Sequence, residues 1–403
     1  MSNNFLKEVD KYMKSTTLDN GMKLIYEKRN SNLSSICLAL EAGAVMEDSI
    51  YGVAHAVEHL VYKGTITRTE DDINEKLDNI FAFQNAMTNY PYVIYYGSLL
   101  SEDIEEGIEL FADILINPTF TEEAFCEEMK VVVQELQEWD SDLEQYCEDK
   151  LFLNAINNRL KYPIIGKKTT IHNIKNKDVI EFYNKLYNPE NAVISVVTDR
   201  DEEDVIDIVN RHFSIWSKKE NTNKKENPKE IKLGIYTDVK HGSNTSRVEI
   251  ISDISNLSVE EVGILYIFNE YYGKGVNSYI FNELRTKRSL VYDVLTSINY
   301  EKHIGLYKIF FNTEEKNIDE AIEVIRNIDR INYNSIDINK MMKQYKLKKL
   351  FKEDQGIVLA KELAINSILG KEYIIPQDIT IDDIKNVVSK VFSNIAIQII
   401  KGE

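Results

Sequence analysis

Apolar and polar residues run along this chain in two rhythms. "MKLIYEKR" and "SSICLALEAG" have the composition of strands, and "FAFQNAMTNYPYVIYYGSLL" predicts a pair of strands meeting near Asn89 and Pro91. "SEDIEEGIELFADILINP" places a serine before apolar residues at helical spacing, so it predicts a helix capped by Ser101. From Glu122 to Gln145 the helical period continues, with Phe125, Met129, Val132, Val133 and Leu136 mainly on one face. Strands and helices follow no βαβ rhythm, which points to an α+β protein.

The second half repeats the order of the first. Strand-like "SRVEIISDIS" is followed by a helix, "SVEEVGILYIFNEYYG", then by a strand pair, "LVYDVLTSINY" and "HIGLYKIFFNTEE", then by a helix, "NIDEAIEVIRNI". That last segment aligns with "DIEEGIELFADI": Ile104, Glu106, Ile108 and Glu109 correspond to Ile318, Glu320, Ile322 and Glu323, each set directly after a strand pair. Between the halves lies "SKKENTNKKENPKE", which contains no apolar residue and reads as a linker. The pattern predicts two related α+β domains arising by internal duplication, each a mostly antiparallel sheet with helices packed on it. The expected division is 1–216, a linker at 217–230, and 231–403.

At 403 residues and 43% hydrophobic composition the chain is long enough for two cores. Cys37, Cys126 and Cys147 form no CxxC pair, so reduced, mostly buried thiols are expected, and neither a disulfide frame nor a zinc ribbon. No apolar run reaches membrane-spanning length and the N-terminal stretch is polar, so the expected location is cytoplasmic. A net charge of −18 argues against nucleic acid and favours cationic partners.

"YGVAHAVEHLVYKGT" changes the picture. Gly52 to Lys63 contains no proline and is apolar nearly all round, which predicts a buried helix. His55, Glu58 and His59 then stand at i, i+3 and i+4, on one face. Two imidazoles one turn apart can hold a single ion, as in helical HExxH proteases, and here the order is reversed to HxxEH. Two hydrogen-bonded core histidines would give the same spacing. Against that stands the cost of burying two imidazoles and a carboxylate together, which a divalent cation would offset. In that arrangement Glu58 faces the attacking water and not the metal.

A zinc site needs a third protein ligand. His172, His212, His241 and His303 stand alone in the sequence. "EEMKVVVQELQEWD" offers Glu128 and Glu135 two helical turns apart on one face, with Glu138 a turn further, and spacing does not choose among them.

"GVAHAVEHLVYKGT" resembles the zinc-helix signature of the inverzincin peptidases, the family of pitrilysin, insulysin, the mitochondrial processing peptidase and short bacterial relatives. In that family the third ligand is a glutamate in a segment similar to "VVVQELQEWD", and the resemblance selects Glu135, 76 positions after His59. Glu128 matches the family's second glutamate, which supports the site. "FQNAMTNYPYVIYY", with Asn85 and Ala86, is similar to the edge strand to which a substrate peptide adds through main-chain hydrogen bonds. "FNELRTKRSLVYDV" is similar to the family's substrate-contacting segment of the second domain, with Arg285 and Tyr292 as its donors. Three stretches depart from the family. "YYGKGVNSYIFNELR" has only Gly273 and Gly275 where many relatives are glycine-rich, Asp142 and Leu143 replace a common proline, and "VTDRD" replaces a Gly-Asp ending.

The resemblance implies a zinc metallopeptidase with one zinc per chain. Glu58 would act as general base, and Tyr292 and Arg285 would steady the oxyanion and the peptide. It also implies short, unstructured peptide substrates, or a leader peptide, inside a chamber closed by dimerisation. The partner would be a second copy or a related chain. Two other readings fit fewer of the residues: a non-catalytic subunit of a heterodimeric peptidase, and an α+β protein with a purely structural metal.

Overall fold

The computed structural model describes residues 13–218, 230–302, 304–369 and 373–403. Its contacts divide the chain into two units, built from the described residues of Met1–Leu136, Pro163–Lys225 and Phe351–Gly370, and of Gln137–Tyr162, Glu226–Leu350 and Lys371–Glu403. Each carries one sheet.

In the first unit the strands are β1 (Met13–Thr17), β2 (Lys23–Lys28), β3 (Leu33–Leu40), β4 (Phe81–Thr88), β5 (Val93–Leu100) and β6 (Ala192–Thr198). Their order is β1-β2-β6-β3-β5-β4, with β2 and β6 parallel and the other neighbours antiparallel. In the second unit they are β7 (Gly234–Lys240), β8 (Ser246–Asp253), β9 (Val291–Glu301), β10 (Ile304–Thr313) and β11 (Ile395–Gly402). The order β7-β11-β8-β10-β9, again with only β7 and β11 parallel, repeats that of β2-β6-β3-β5-β4. The α+β class expected from the sequence is therefore present, and five of the six strands of the first sheet have counterparts in the second in the same order. In each unit the hairpin leads through a 3-10 turn into a helix, Ile104–Ile116 or Ile318–Arg326, whose apolar face is buried.

The linear division at 217–230 needs revision. Helix Leu143–Ala155, from the first half, buries Cys147, Leu151, Phe152 and Ala155 and packs on β11 and β8 of the second unit. Helix Gly356–Leu369, from the second half, packs on β3 and β6, where Leu359, Ala360 and Ala364 join Cys37, Ala39 and Val197 in one apolar cluster. Burial of an apolar helix face decides membership here, and chain order does not. Of the linker, only Ser217, Lys218 and Glu230 are among the described residues.

Two local expectations are also corrected. Ser101 does not cap a helix: it lies in a 3-10 turn, Ser101–Asp103, buried against the Ser34 hydroxyl at 2.9 Å. The long helix is Glu122–Ser141, because Asp142 accepts hydrogen bonds from the Glu144 and Gln145 amides and starts a new helix. The thiols are mostly buried, as expected: Cys37 and Cys147 are buried and Cys126, on the long helix, is exposed. Among the described residues no helix is long and apolar enough to cross a membrane.

Candidate metal centre

The histidine helix, Val53–Leu60, is fixed before any metal is considered. Glu47 Oε1 accepts hydrogen bonds from the Gly52 and Ala54 amides, each at 3.0 Å, and so satisfies orphan donors at the helix start. Gly52 is left-handed at φ +97°, and a Cβ there would stand 2.7 Å from the Ile165 carbonyl oxygen. Val53, Ala54, Ala56, Val57 and Leu60 are buried, which sets the face carrying the two histidines.

His55 Nε2 and His59 Nε2 are 3.3 Å apart, and Glu135 Oε2 lies 3.7 Å from the first and 3.5 Å from the second. Tetrahedral zinc with ligand bonds of about 2.0–2.1 Å needs ligand atoms separated by roughly 3.3–3.4 Å. The three atoms already approximate that triangle, and among the described residues no other group of His, Cys, Asp or Glu is placed to hold a metal. Their chemistry agrees. His59 Nδ1 donates to Glu128 Oε1 at 2.8 Å, which turns the lone pair on its Nε2 toward His55 Nε2 and the Glu135 carboxylate. A cation at the centre of this triangle would be met by two imidazole nitrogens and a carboxylate oxygen, so the donor set fits zinc.

Electrostatics divide the roles. Burial, and then the neighbouring His59, lower the pKa of His55 to about 3, so its imidazole is neutral, as a ligand must be. Burial works against charge on His59 as well, but the Glu128 hydrogen bond and the charges of Glu58 and Glu135 outweigh it and raise its pKa. Burial would raise Glu128, yet hydrogen bonds from His59 and Lys63 hold it below the usual carboxylate range. Lys63 Nζ lies 2.9 Å from Glu128 Oε2 and 2.6 Å from Glu70 Oε1, so the chain Glu70, Lys63, Glu128, His59 fixes the imidazole. Glu58 is buried, which raises its pKa, and Oε2 accepts the Thr88 hydroxyl at 2.5 Å. Behind it Tyr95 and Tyr187 are fully buried, with their hydroxyls 2.8 Å apart.

The structure thus brings His55, His59 and Glu135 together, with Glu58 on the same helix and Glu128 behind His59. Glu128 touches His59 Nδ1 and not the space between the three converging atoms. Glu138 is exposed, as are His172 and His241, while His212 lies 3.5 Å from Glu105 and His303 lies outside the described residues. Asn85 and Ala86 sit on β4, at the edge of the first sheet, with Asn85 exposed. In the second unit the Arg285 guanidinium stacks 4.6 Å from the centre of the Tyr292 ring, which is 79% exposed. Arg285 lies in a π-helical turn, Asn282–Thr286, and Tyr292 at the start of edge strand β9. Sequence spacing alone missed Thr88 and Lys63, whose partners Glu58 and Glu128 are distant in the chain, and Glu47, which reaches the helix start from outside the helix.

A paired-histidine helix and a carboxylate from a second helix thus form a group that could hold one metal ion, with a buried glutamate on the same histidine helix. Sequence comparison names the family. The model described as "Insulinase (Peptidase family M16)" matches residues 23–168, and that described as "Peptidase M16 inactive domain" matches residues 173–329. The chain belongs to peptidase family M16. It is similar to an uncharacterized zinc protease of Rickettsia felis, 25% identical over 400 residues and 96% of each chain. It is also similar to the human mitochondrial-processing peptidase subunit beta, 28% identical over 200 residues, which cover 49% of this chain and 41% of that one. A crystal structure of a peptidase M16 inactive domain from Pseudomonas fluorescens has the same fold, with a TM-score of 0.86 at 16% identity over 97% of this chain and 98% of that one.

Proposed function

We propose that this chain is a zinc metalloendopeptidase of the HxxEH type that hydrolyses short, unstructured peptides. The observation that carries the reading is the triangle of His55 Nε2, His59 Nε2 and Glu135 Oε2 beside a buried Glu58. Bound zinc would supply Lewis acidity toward a carbonyl oxygen and bring the pKa of water toward about 7. Glu58, with Oε2 engaged by Thr88, takes a proton from the attacking water at Oε1 and returns it to the leaving amine. Glu128 and Lys63 hold His59 in the tautomer that directs Nε2 inward.

Edge strand β4 offers main-chain groups to an extended peptide at Asn85 and Ala86, and an extended chain is what an unfolded substrate can present. Arg285 and Tyr292 are proposed as substrate-contacting donors of the second unit. We take the working assembly to be a chamber closed by pairing with a second copy or a related chain. The similarity to a protein named as a subunit supports a partner. Three free cysteines support a reducing, cytoplasmic setting.

Metal analysis together with peptide cleavage tests the reading, for wild type and Glu58→Gln, each alone and with a candidate related chain. The expected result is one zinc per chain in both proteins and cleavage by wild type only. Absence of stoichiometric zinc rejects the site, and cleavage by Glu58→Gln rejects the base. Zinc without cleavage, even with the related chain present, favours a non-catalytic subunit.

A further inference from the structure

Helix Ile104–Ile116 carries a buried carboxylate outside the ligand triangle. Asp113 is 7% exposed, and both its oxygens are engaged. Oδ2 accepts the Thr65 hydroxyl at 2.7 Å, the Thr67 hydroxyl at 2.9 Å and the Arg68 guanidinium at 2.6 Å, while Oδ1 accepts the Asn117 side-chain amide at 2.9 Å. Burial favours the neutral acid, but the donors of Asn117, Thr65, Arg68 and Thr67 outweigh it and hold the carboxyl below the usual range. One turn earlier on the same helix, Glu109 receives Arg68 on both oxygens, at 2.8 and 2.9 Å, and Lys76 at 3.1 Å.

These carboxylates hold the frame of the metal centre. Thr65, Thr67 and Arg68 belong to the turn that follows Lys63, and Thr65 Oγ1 tightens it by accepting the Thr67 and Arg68 amides. The turn ends at Thr69, the cap of helix Glu70–Ile80, whose first residue lies 2.6 Å from Lys63. It is also bonded to the chain that enters the long helix. The Ile66 amide donates to the Asn117 carbonyl and the Thr119 amide to the Gly64 carbonyl, each at 3.1 Å. Asp113 thus joins the segment after His59 to the segment before Glu128 and Glu135. In the second unit, matching Ile104 with Ile318 places Asn327 at this position, after helix Ile318–Arg326. That unit keeps the strand order, and none of its described residues form a group placed to hold a metal. The fold therefore does not require a carboxylate here.

We propose that Asp113 is a positioning residue of the metal centre, acting through Lys63 and Glu128. Clamped at Thr65 and Arg68, the turn holds the Lys63 ammonium 2.9 Å from Glu128 Oε2, and Glu128 in turn holds the His59 ring. This inference rests on the proposed zinc site and adds to it a carboxylate that touches none of the three converging atoms.

The test uses the full chain, with zinc affinity read by competition against a chromophoric chelator and ligand geometry by the visible absorption of the cobalt-loaded protein. Asp113→Asn copies the second unit and removes the charge. It should weaken zinc about tenfold or more and change the cobalt bands. Arg68→Met, which removes the donor shared by Asp113 and Glu109, should act in the same direction. In a Lys63→Met background Asp113→Asn should cost less than about threefold further, because the path is already cut. Leu359→Ala, in the apolar cluster with Cys37, Ala39 and Val197, controls for lost stability alone. It should lower the melting temperature and leave both metal readouts unchanged. Equal zinc affinity of wild type and Asp113→Asn, full additivity with Lys63→Met, or an equal loss of affinity in Leu359→Ala overturns the proposal and leaves the zinc site standing. Wild type without stoichiometric zinc rejects the site itself, and this inference with it.

Discussion

The Thr88 hydroxyl donates to Glu58 Oε2 at 2.5 Å from the end of the edge strand that carries Asn85 and Ala86. The residue proposed to move the proton is thus fixed by the strand proposed to hold the peptide. Replacing Thr88 by Val keeps the shape and removes the donor. Thr88→Val should lower kcat about tenfold or more with KM within about twofold, and Thr88→Ser should restore it. A rise in KM alone, measured by steady-state peptide cleavage, would assign Thr88 to strand structure instead.

Glu135 and Glu128 should differ in what they do to the metal. Glu135→Ala removes a corner of the triangle and should abolish stoichiometric zinc. Glu128→Ala leaves three ligand atoms but frees the His59 ring, and should weaken zinc binding roughly 10–100-fold while leaving one site. Competition against a chromophoric chelator separates the two outcomes.

The approach of Gly52 to Ile165 should make the histidine helix intolerant of any side chain at its start. Gly52→Ala places a Cβ 2.7 Å from a backbone oxygen at φ +97°, and loop and helix must part for it to fit. A loss of roughly 1–3 kcal/mol is expected, read as a lower midpoint in denaturant unfolding.

Glu249 on β8 is buried among Glu148, Lys308 and Arg247. Burial first, and then the Glu148 charge, push its carboxyl from 4.5 up to about 8, although Lys308 and Arg247 pull the other way. Between those values the folded chain holds a proton that the unfolded chain releases, so this group's contribution to stability falls as pH rises from 4.5 to 8. Glu249→Gln imitates the protonated form. It should match wild type near pH 5 and exceed it near pH 9 by an amount on the order of a few kcal/mol, read from melting temperatures across that range.

Much of this protein was legible in the residue order. The strand and helix periods, the repeat of Ile104 and Glu106 as Ile318 and Glu320, and the placing of His55, Glu58 and His59 on one face follow from local geometry. In a helix, spacing alone fixes which residues are neighbours. What spacing left open was set by contacts between segments far apart in the chain. Glu128 and Glu135 share a helix face, and only packing of the long helix against the histidine helix gives Glu135 to both Nε2 atoms and Glu128 to Nδ1. The Thr88 bond to Glu58 spans 30 positions and the His59 bond to Glu128 spans 69, so no local pattern announced either. The same holds for helices Leu143–Ala155 and Gly356–Leu369, each of which packs on a sheet built mainly from the other half of the chain. An apolar stripe requires burial, and tertiary structure alone decides against what.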